Sequence, residues 1–393
     1  MTDTPVIAAE GPLHGITVVE LAGHAPISMA GMLLVSLGAE VIRLDRPGNP
    51  ADRSDNLLRS GRRSVVLDLK SPGGLAAAQR IIDDADVLIE GYRPGVLERL
   101  GLGPQEMLAR NPRLVYGRLT GWGQDGPLRL AAGHDITYLA VTGALYPMGP
   151  ADQPPTPPLN YGADLGGGTM FLLVGILAAL QERERSNAGQ VVDAAMVDGV
   201  SWMASTLLRE RARGNWSDQR GTNMIDGGAP FYRCYRSADG GFLAVGAIEP
   251  EFYAQALQAL DLDPAELPPQ WDKTRWPELT AIFAERIATR SRNDWAERLA
   301  GGDSCMSPVL TFDEARNHPQ IVARAAYLEL DGHLAPGVAP RLDRTPLAAP
   351  AAVPDGGRHT ADVLRDVGYT DADIESLIAS GAARVAPDGG KHD

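Results

Sequence analysis

Asp164 is followed by Leu165-Gly166-Gly167-Gly168 and then by an apolar run from Met170 to Leu180. A carboxylate and several backbone N–H groups ahead of a helix make a place where negative charge is stabilised. The first-turn N–H groups have no intrahelical partner, and the aligned peptide dipoles leave partial positive charge there. Upstream, Gly133-His134-Asp135 opens a second helix-like pattern through Ile136-Thr137-Tyr138. An imidazole at a helix entry is suited to general-base work near neutral pH. These residue types fit proton removal with a developing anion close by. Plainer uses stay open on the residues alone: Asp164 as a helix N-cap, and the glycines as places of close packing.

The densest cation cluster comprises Arg43, Arg46, Arg53, Arg59, Arg62, Arg63 and Lys70, diluted by Asp45, Asp52, Asp55 and Asp68. Guanidinium forks at strand ends match phosphate oxygens, so a phosphorylated ligand is one reading. A solvated loop with internal ion pairs is the other. A net charge of −14 argues against nucleic acid or acidic membrane as a general partner. Cys234 and Cys305 are too few and too far apart for a disulfide framework or a metal site. Met1-Thr2-Asp3-Thr4-Pro5 does not open a signal peptide, and the apolar run after Gly168 falls short of the ~20 residues of a membrane span. The expectation is a soluble cytoplasmic protein.

The elements that must position these groups begin with Ile16 to Leu21 as a strand, Ser28 to Leu37 as a helix and Glu40 to Leu44 as a strand. This βαβ unit repeats in Ser64 to Leu69, Gly74 to Asp84 and Asp86 to Glu90, with further strands at Leu114 to Leu119 and Gln190 to Ala194. The pattern predicts an α/β fold on a parallel sheet, with ligands at the carboxyl ends of the strands, where Gly91-Tyr92-Arg93-Pro94-Gly95 falls. The loop Gly23-His24-Ala25-Pro26-Ile27-Ser28 lacks the Gly-x-Gly-x-x-Gly spacing, so a dinucleotide cofactor gets little support. The expected organisation is a large α/β domain over residues 10–213, a linker over 214–230 and a small α+β domain over 231–331. Residues 332–393 hold a return linker and terminal helices that go back to the large domain. Glu249, in Gly246-Ala247-Ile248-Glu249-Pro250, either reaches a site or simply leads a helix.

Eight separated motifs carry a resemblance. They are Val18-Val19-Glu20-Leu21, Leu37 to Leu44, Asp68-Leu69-Lys70, Gly91 to Gly95, Gly133-His134-Asp135, Asp164 to Gly168, Gly246 to Pro250 and Val363 to Tyr369. Together they resemble the class III CoA-transferase superfamily, and within it the bacterial α-methylacyl-CoA racemases. The resemblance implies a large Rossmann-like and a small domain in an interlocked homodimer. CoA would bind at Arg46, Lys70, Arg93 and Arg99, with Tyr138, Gly166 and Gly167 beside the substrate. His134 and Asp164 match the racemase acid/base pair, and Glu249 the carboxylate that supports the histidine. No metal or redox cofactor is implied, since coenzyme A arrives as part of the substrate.

The activity implied is inversion of a 2-methylacyl-CoA thioester, with Asp164 and His134 taking and returning the α-proton. The rival within the superfamily is CoA transfer between carboxylic acids, in which Asp164 becomes a nucleophile and passes through an anhydride and a thioester. A catalytically silent CoA-thioester-binding protein is the third reading. Racemase relatives carry a Gly-Pro-rich turn after the first strand, whereas this chain has His24 there, in a loop expected to approach the acyl group. Met29 and Met32 nearby suit either an adaptable apolar pocket or ordinary helix packing.

Overall fold

A computed structural model describes residues 11–48, 57–330, 332–351 and 353–386. In chain order come β1 (Thr17–Leu21), α1 (Ala25–Ser36), β2 (Glu40–Asp45), β3 (Arg63–Leu67), α2 (Pro72–Asp83) and β4 (Val87–Glu90). Next are α3 (Val96–Arg99), α4 (Pro104–Arg110), β5 (Val115–Thr120) and α5 (Asp135–Val141). A π-helix, Tyr161–Met170, runs straight into α6 (Phe171–Ser186), followed by β6 (Val191–Ala195), α7 (Met196–Met203) and α8 (Ser205–Ala212). Then come β7 (Tyr232–Arg236), β8 (Phe242–Gly246), α9 (Pro250–Ala259), α10 (Trp276–Ile287), α11 (Arg292–Leu299), β9 (Met306–Pro308) and α12 (Phe312–Ala315). The chain closes with α13 (Pro319–Ala323), β10 (Tyr327–Leu330), β11 (His333–Pro336), α14 (Thr360–Asp366), α15 (Asp371–Ala379) and β12 (Ala383–Arg384).

Two compact units result. Among the described residues, one takes in those of 11–138, 160–202 and 319–386, and the other 139–159 and 203–318. In the first, a seven-stranded sheet has the order β12-β3-β2-β1-β4-β5-β6, parallel except for β12. Its inner strands are buried on both faces, as parallel sheets require, and bury the charged Glu20, Arg43, Asp45 and Glu90 among their apolar residues. Ile81, Ile82, Leu97, Met107, Val363, Leu364 and Ile374 from α2, α3, α4, α14 and α15 close one core with Val19, Leu21, Leu44 and Leu88. Helices α1 and α6 pack on the sheet as well. The strand order reverses between β1 and β4, which makes the crevice at their carboxyl ends the expected ligand site.

The second unit has an antiparallel sheet β7-β8-β9 over a core of Tyr235, Leu243, Leu257, Phe283 and Trp295. The stretch expected as a linker, 214–230, is packed structure within this unit. Asn223 is buried, accepting from Ser217 N–H at 2.7 Å and donating to Asp226 at 2.7 Å, and Ala229 joins Phe231 and Trp276 in a small apolar cluster. Residues 139–159, expected in the large domain, also belong to this unit. The Pro/Ala-rich return segment is likewise not free. It contains β11, and its later part is pinned to the first unit where Ser36 Oγ donates to the Ala348 carbonyl and Ala351 N–H to Ser60 Oγ, both at 2.6 Å.

Helix α1 starts at Ala25 instead of Ser28, because Pro26 fits the first turn of a helix. The helix carrying the glycine triplet is also longer than expected. Tyr161–Ser186 is one 26-residue helix, long and apolar enough to cross a membrane by length and composition, with half of its apolar 18-residue stretch buried. Leu172, Leu173, Ile176, Ala179 and Leu180 are among its buried residues, and it packs on β5 and β6.

The cation cluster divides. Glu20 on β1 is fully buried beside its register partner Arg43 on β2 and pairs with it, and with Arg62 at 3.1 Å. Arg59 and Arg43 both reach Asp45, at 2.9 and 3.2 Å. Arg63 pairs with Glu40 and Asp366. Arg53 lies outside the described residues. Arg43, Arg59 and Arg62 are therefore buried structural cations, neither solvated nor available to a ligand. Removing one charge from such a network strands the others in a low-dielectric interior. Glu20→Gln is accordingly expected to lower stability by roughly 3–5 kcal/mol in denaturant unfolding, and a loss within experimental error would show that Arg43 and Arg62 find other compensation.

Candidate active site

The loops after β1, β4 and β5 meet Gly133, His134 and Tyr138 around a cavity of about 310 Å³ at the point where the strand order reverses. Its position follows from sheet topology, and its size suits part of a small-molecule ligand. Tyr138 is buried and forms one wall, its ring edge-on to Trp122 at 4.8 Å between centroids. A β-carbon at Gly121 or Gly133 would collide with that ring, so both glycines are there to admit it. Burial and the Asp164 charge push the Tyr138 hydroxyl up, while Arg93 acts the other way.

His134 is the exposed residue leading α5. Its carbonyl accepts the first helical N–H bonds, from Thr137 at 2.8 Å and Tyr138 at 3.3 Å. Thr137 Oγ1 accepts from its N–H at 2.9 Å, so the backbone is held and the residue presents itself on the cavity wall. Next to it Asp135 is buried, and its Oδ2 accepts from Ala163 N–H at 2.7 Å and from Asp164 N–H at 2.8 Å. The other oxygen, Oδ1, is buried without a hydrogen-bond partner. One carboxylate thus ties the His134 segment to the start of the π-helix, where first-turn N–H groups need acceptors. Nothing in the sequence separates it from an ordinary acidic first-turn residue.

Asp164 is half-buried in the first turn of the π-helix and adjoins the cavity without lining it. Burial pushes its carboxyl up, and so does the charge of Asp135, whereas His134 and His24 pull it down. The sequence-predicted pair His134 and Asp164 is therefore within mutual electrostatic reach.

The glycine triplet differs from expectation. Gly166 and Gly167 lie inside the π-helix and not ahead of it, so their N–H groups belong to the helical ladder and are not free donors for a ligand anion. A β-carbon on Gly167 would stand 2.9 Å from the Met196 carbonyl and from Val200 N, so this buried glycine serves close packing of the π-helix on α7.

Arg46, Lys70 and Arg93 stand exposed just past the carboxyl ends of β2, β3 and β4, and exposed Arg99 ends the short helix α3. With neighbouring strands about 4.8 Å apart, β3 to β4 spans roughly 15 Å, a row that matches an extended polyanionic ligand. The Arg46 charge is felt by Tyr92, on the cavity wall. Glu249 belongs to the second unit, where it precedes α9. It is exposed and its side chain makes no capping hydrogen bond, so the helix does not engage its carboxylate.

A doubly wound sheet with cations along its carboxyl edge and an imidazole–carboxyl pair at its switch point describes an α/β protein built for acid–base work on an anionic ligand. The chain belongs to CoA-transferase family III, whose model matches residues 13–360. It is 46% identical over 369 residues to the α-methylacyl-CoA racemase of Mus musculus, covering 93% of this chain and 96% of that one. It is 44% identical over 368 residues to the α-methylacyl-CoA racemase of Homo sapiens, with the same coverage. A crystal structure of a CAIB/BAIF family protein from Brucella suis shares the fold, with a TM-score of 0.79 at 24% identity over 91% of this chain and 100% of that one.

The coupling of Asp135 to Asp164 is open to direct measurement. Asp135→Asn keeps an acceptor for the two N–H groups but removes the charge, so the Asp164 carboxyl should titrate at lower pH in ¹³C NMR. An unmoved titration would mean that Asp135 serves the backbone alone.

Proposed function

We propose that the protein is an isomerase of the α-methylacyl-CoA racemase type, interconverting R and S 2-methylacyl-CoA thioesters by 1,1-proton transfer through an enolate. The observation that carries the reading is the pairing of two proton-transfer groups of different chemistry, His134 and Asp164, beside one cavity at the sheet's switch point. Identity to two racemases over nearly the whole chain supports it.

Inversion at a carbon α to a thioester requires one base on each face. In one direction ionised Asp164 takes the α-proton and protonated His134 delivers one to the opposite face; the reverse direction exchanges their protonation states. Burial and Asp135 keep the acid form of Asp164 accessible, as a group that must also donate needs. Both steps are proton transfers, so neither calls for a metal or redox group. Arg46, Lys70, Arg93 and Arg99 would hold the phosphorylated part of CoA, and Tyr138 would shape the wall beside the thioester. The donors to the enolate oxygen are not Gly166 and Gly167, whose N–H groups the helix retains. Glu249 would support the His134 imidazole from a second copy of the chain, in an interlocked homodimer of large Rossmann-like and small α+β domains. We place this activity in the cytoplasm, with the thioester and a second copy as partners.

CoA transfer, the other activity in the family's name, would make Asp164 a nucleophile and leave His134 without a task. The two readings part in deuterium oxide. With one enantiomer of a 2-methylacyl-CoA, racemisation brings deuterium into the α-position with loss of optical activity. Transfer instead moves CoA to an added free acid with configuration retained, and that outcome would falsify the racemase reading. His134→Ala is expected to lower inversion about 10²–10⁴-fold while thioester affinity stays within a few-fold.

A further inference from the structure

His24 has no part in the two-base scheme, yet it lines the same cavity as His134. It sits at the carboxyl end of β1, immediately before α1, is exposed, and makes no side-chain capping bond to that helix. The helix turn that follows it is joined to the Asp164 turn through one buried hydroxyl. Thr169 Oγ1 is 2.9 Å from the Pro26 carbonyl and 3.2 Å from the Asp164 carbonyl, acting as donor to either. That contact clamps the first turn of α1 to the turn that carries Asp164, and the two helices pack along each other. The charge of His24 acts on Asp164 in the same sense as that of His134 and against that of Asp135. Arg93, from the β4 loop, and Arg129 are the other charged groups on the cavity wall.

A bound thioester would cover half-buried Asp164 further, whereas the exposed imidazole of His24, on the loop clamped to the Asp164 turn, opens onto bulk water. We propose that His24 is the proton relay of Asp164, carrying to solvent the proton that Asp164 removes from the substrate. The proposal rests on the racemase reading. The α-carbon–hydrogen bond breaks and an O–H bond forms on Asp164. Neutral His24 takes that proton on one ring nitrogen, restoring the carboxylate, and the imidazolium loses a proton from its other nitrogen to water. The same path run backwards brings a solvent proton to Asp164 and to the enolate on the same face. His24 acts through Asp164 and is a relay residue, not a base for the substrate.

The consequence is exchange without inversion on one face only. The full-length protein and His24→Gln would each be incubated with each enantiomer of a 2-methylacyl-CoA in deuterium oxide and stopped at low conversion. Deuterium in the recovered starting enantiomer is then compared with the amount inverted. The enantiomer that yields its proton to Asp164 is the one that still exchanges in His134→Ala. For that enantiomer the ratio of wash-in to inversion should fall about tenfold or more in His24→Gln, and for the other it should not change. In His24→Gly, added imidazole should restore the lost ratio. Unchanged ratios for both enantiomers would overturn the relay, as would a loss common to both that imidazole does not rescue. Inversion by the unaltered protein in the same runs tests the reading beneath: its absence removes both, whereas inversion with unchanged ratios removes the relay alone.

Discussion

The buried carboxylate of Asp135 holds the site together. The start of a long helix leaves N–H groups that a dry environment cannot satisfy, and the Ala163 and Asp164 N–H groups find their acceptor in this one side chain. The interaction is charge-assisted at its acceptor and lies in the field of the helix N-terminus, both of which strengthen it. Its geometric result is that His134, the residue before the acceptor, and Asp164, one of the two donors, belong to a single linked structure. Its electrostatic result is that Asp164 carries a neighbouring negative charge and holds its proton more readily. The position of both groups and the proton affinity of Asp164 thus depend on one side chain.

Around that link, the sheet decides where the cavity opens. Reversal of strand order between β1 and β4 splays the following loops apart, and the loop after β5 supplies Trp122 against Tyr138. The π-helix turns more widely than an α-helix, and its glycines let Met196 to Val200 of α7 come close behind it. π-Helical turns are frequent at functional sites, and here one carries Asp164. Thr169, in the same segment, fastens α1 and with it the His24 loop.

The arginines show how one residue type serves two ends on an acidic chain. Arg43, Arg59 and Arg62 are buried with Glu20 and Asp45 and join β1 and β2 to the segment before β3. Arg46, a few residues past Arg43, lies beyond the strand end and in water. Burial commits the first group to carboxylate partners, because an unpaired interior charge is costly. The solvated row at the sheet edge keeps its charge for a ligand.

The order of the strands from β1 to β6 and of the longer helices between them was legible in the sequence, though α4 and the π-helical turns were not, since apolar runs, proline and glycine punctuation and helix periodicity are local properties. So was the convergence of motifs around His134, Asp164 and Glu249 on one family. The short strand β9 escaped notice because three residues ending in proline carry no periodic signal. Residues 214–230 read as a linker because polarity and glycine content do not reveal that Asn223 and Ala229 find partners within the fold. Only the tertiary structure decided that the glycines sit inside the helix, that Glu20 meets Arg62 across 42 positions, and that Asp135 meets Asp164 across 29. A sequence displays the chemistry each residue can do and the element it prefers. Which donor meets which acceptor across such distances depends on how the layers pack, and packing is a property of the whole chain at once.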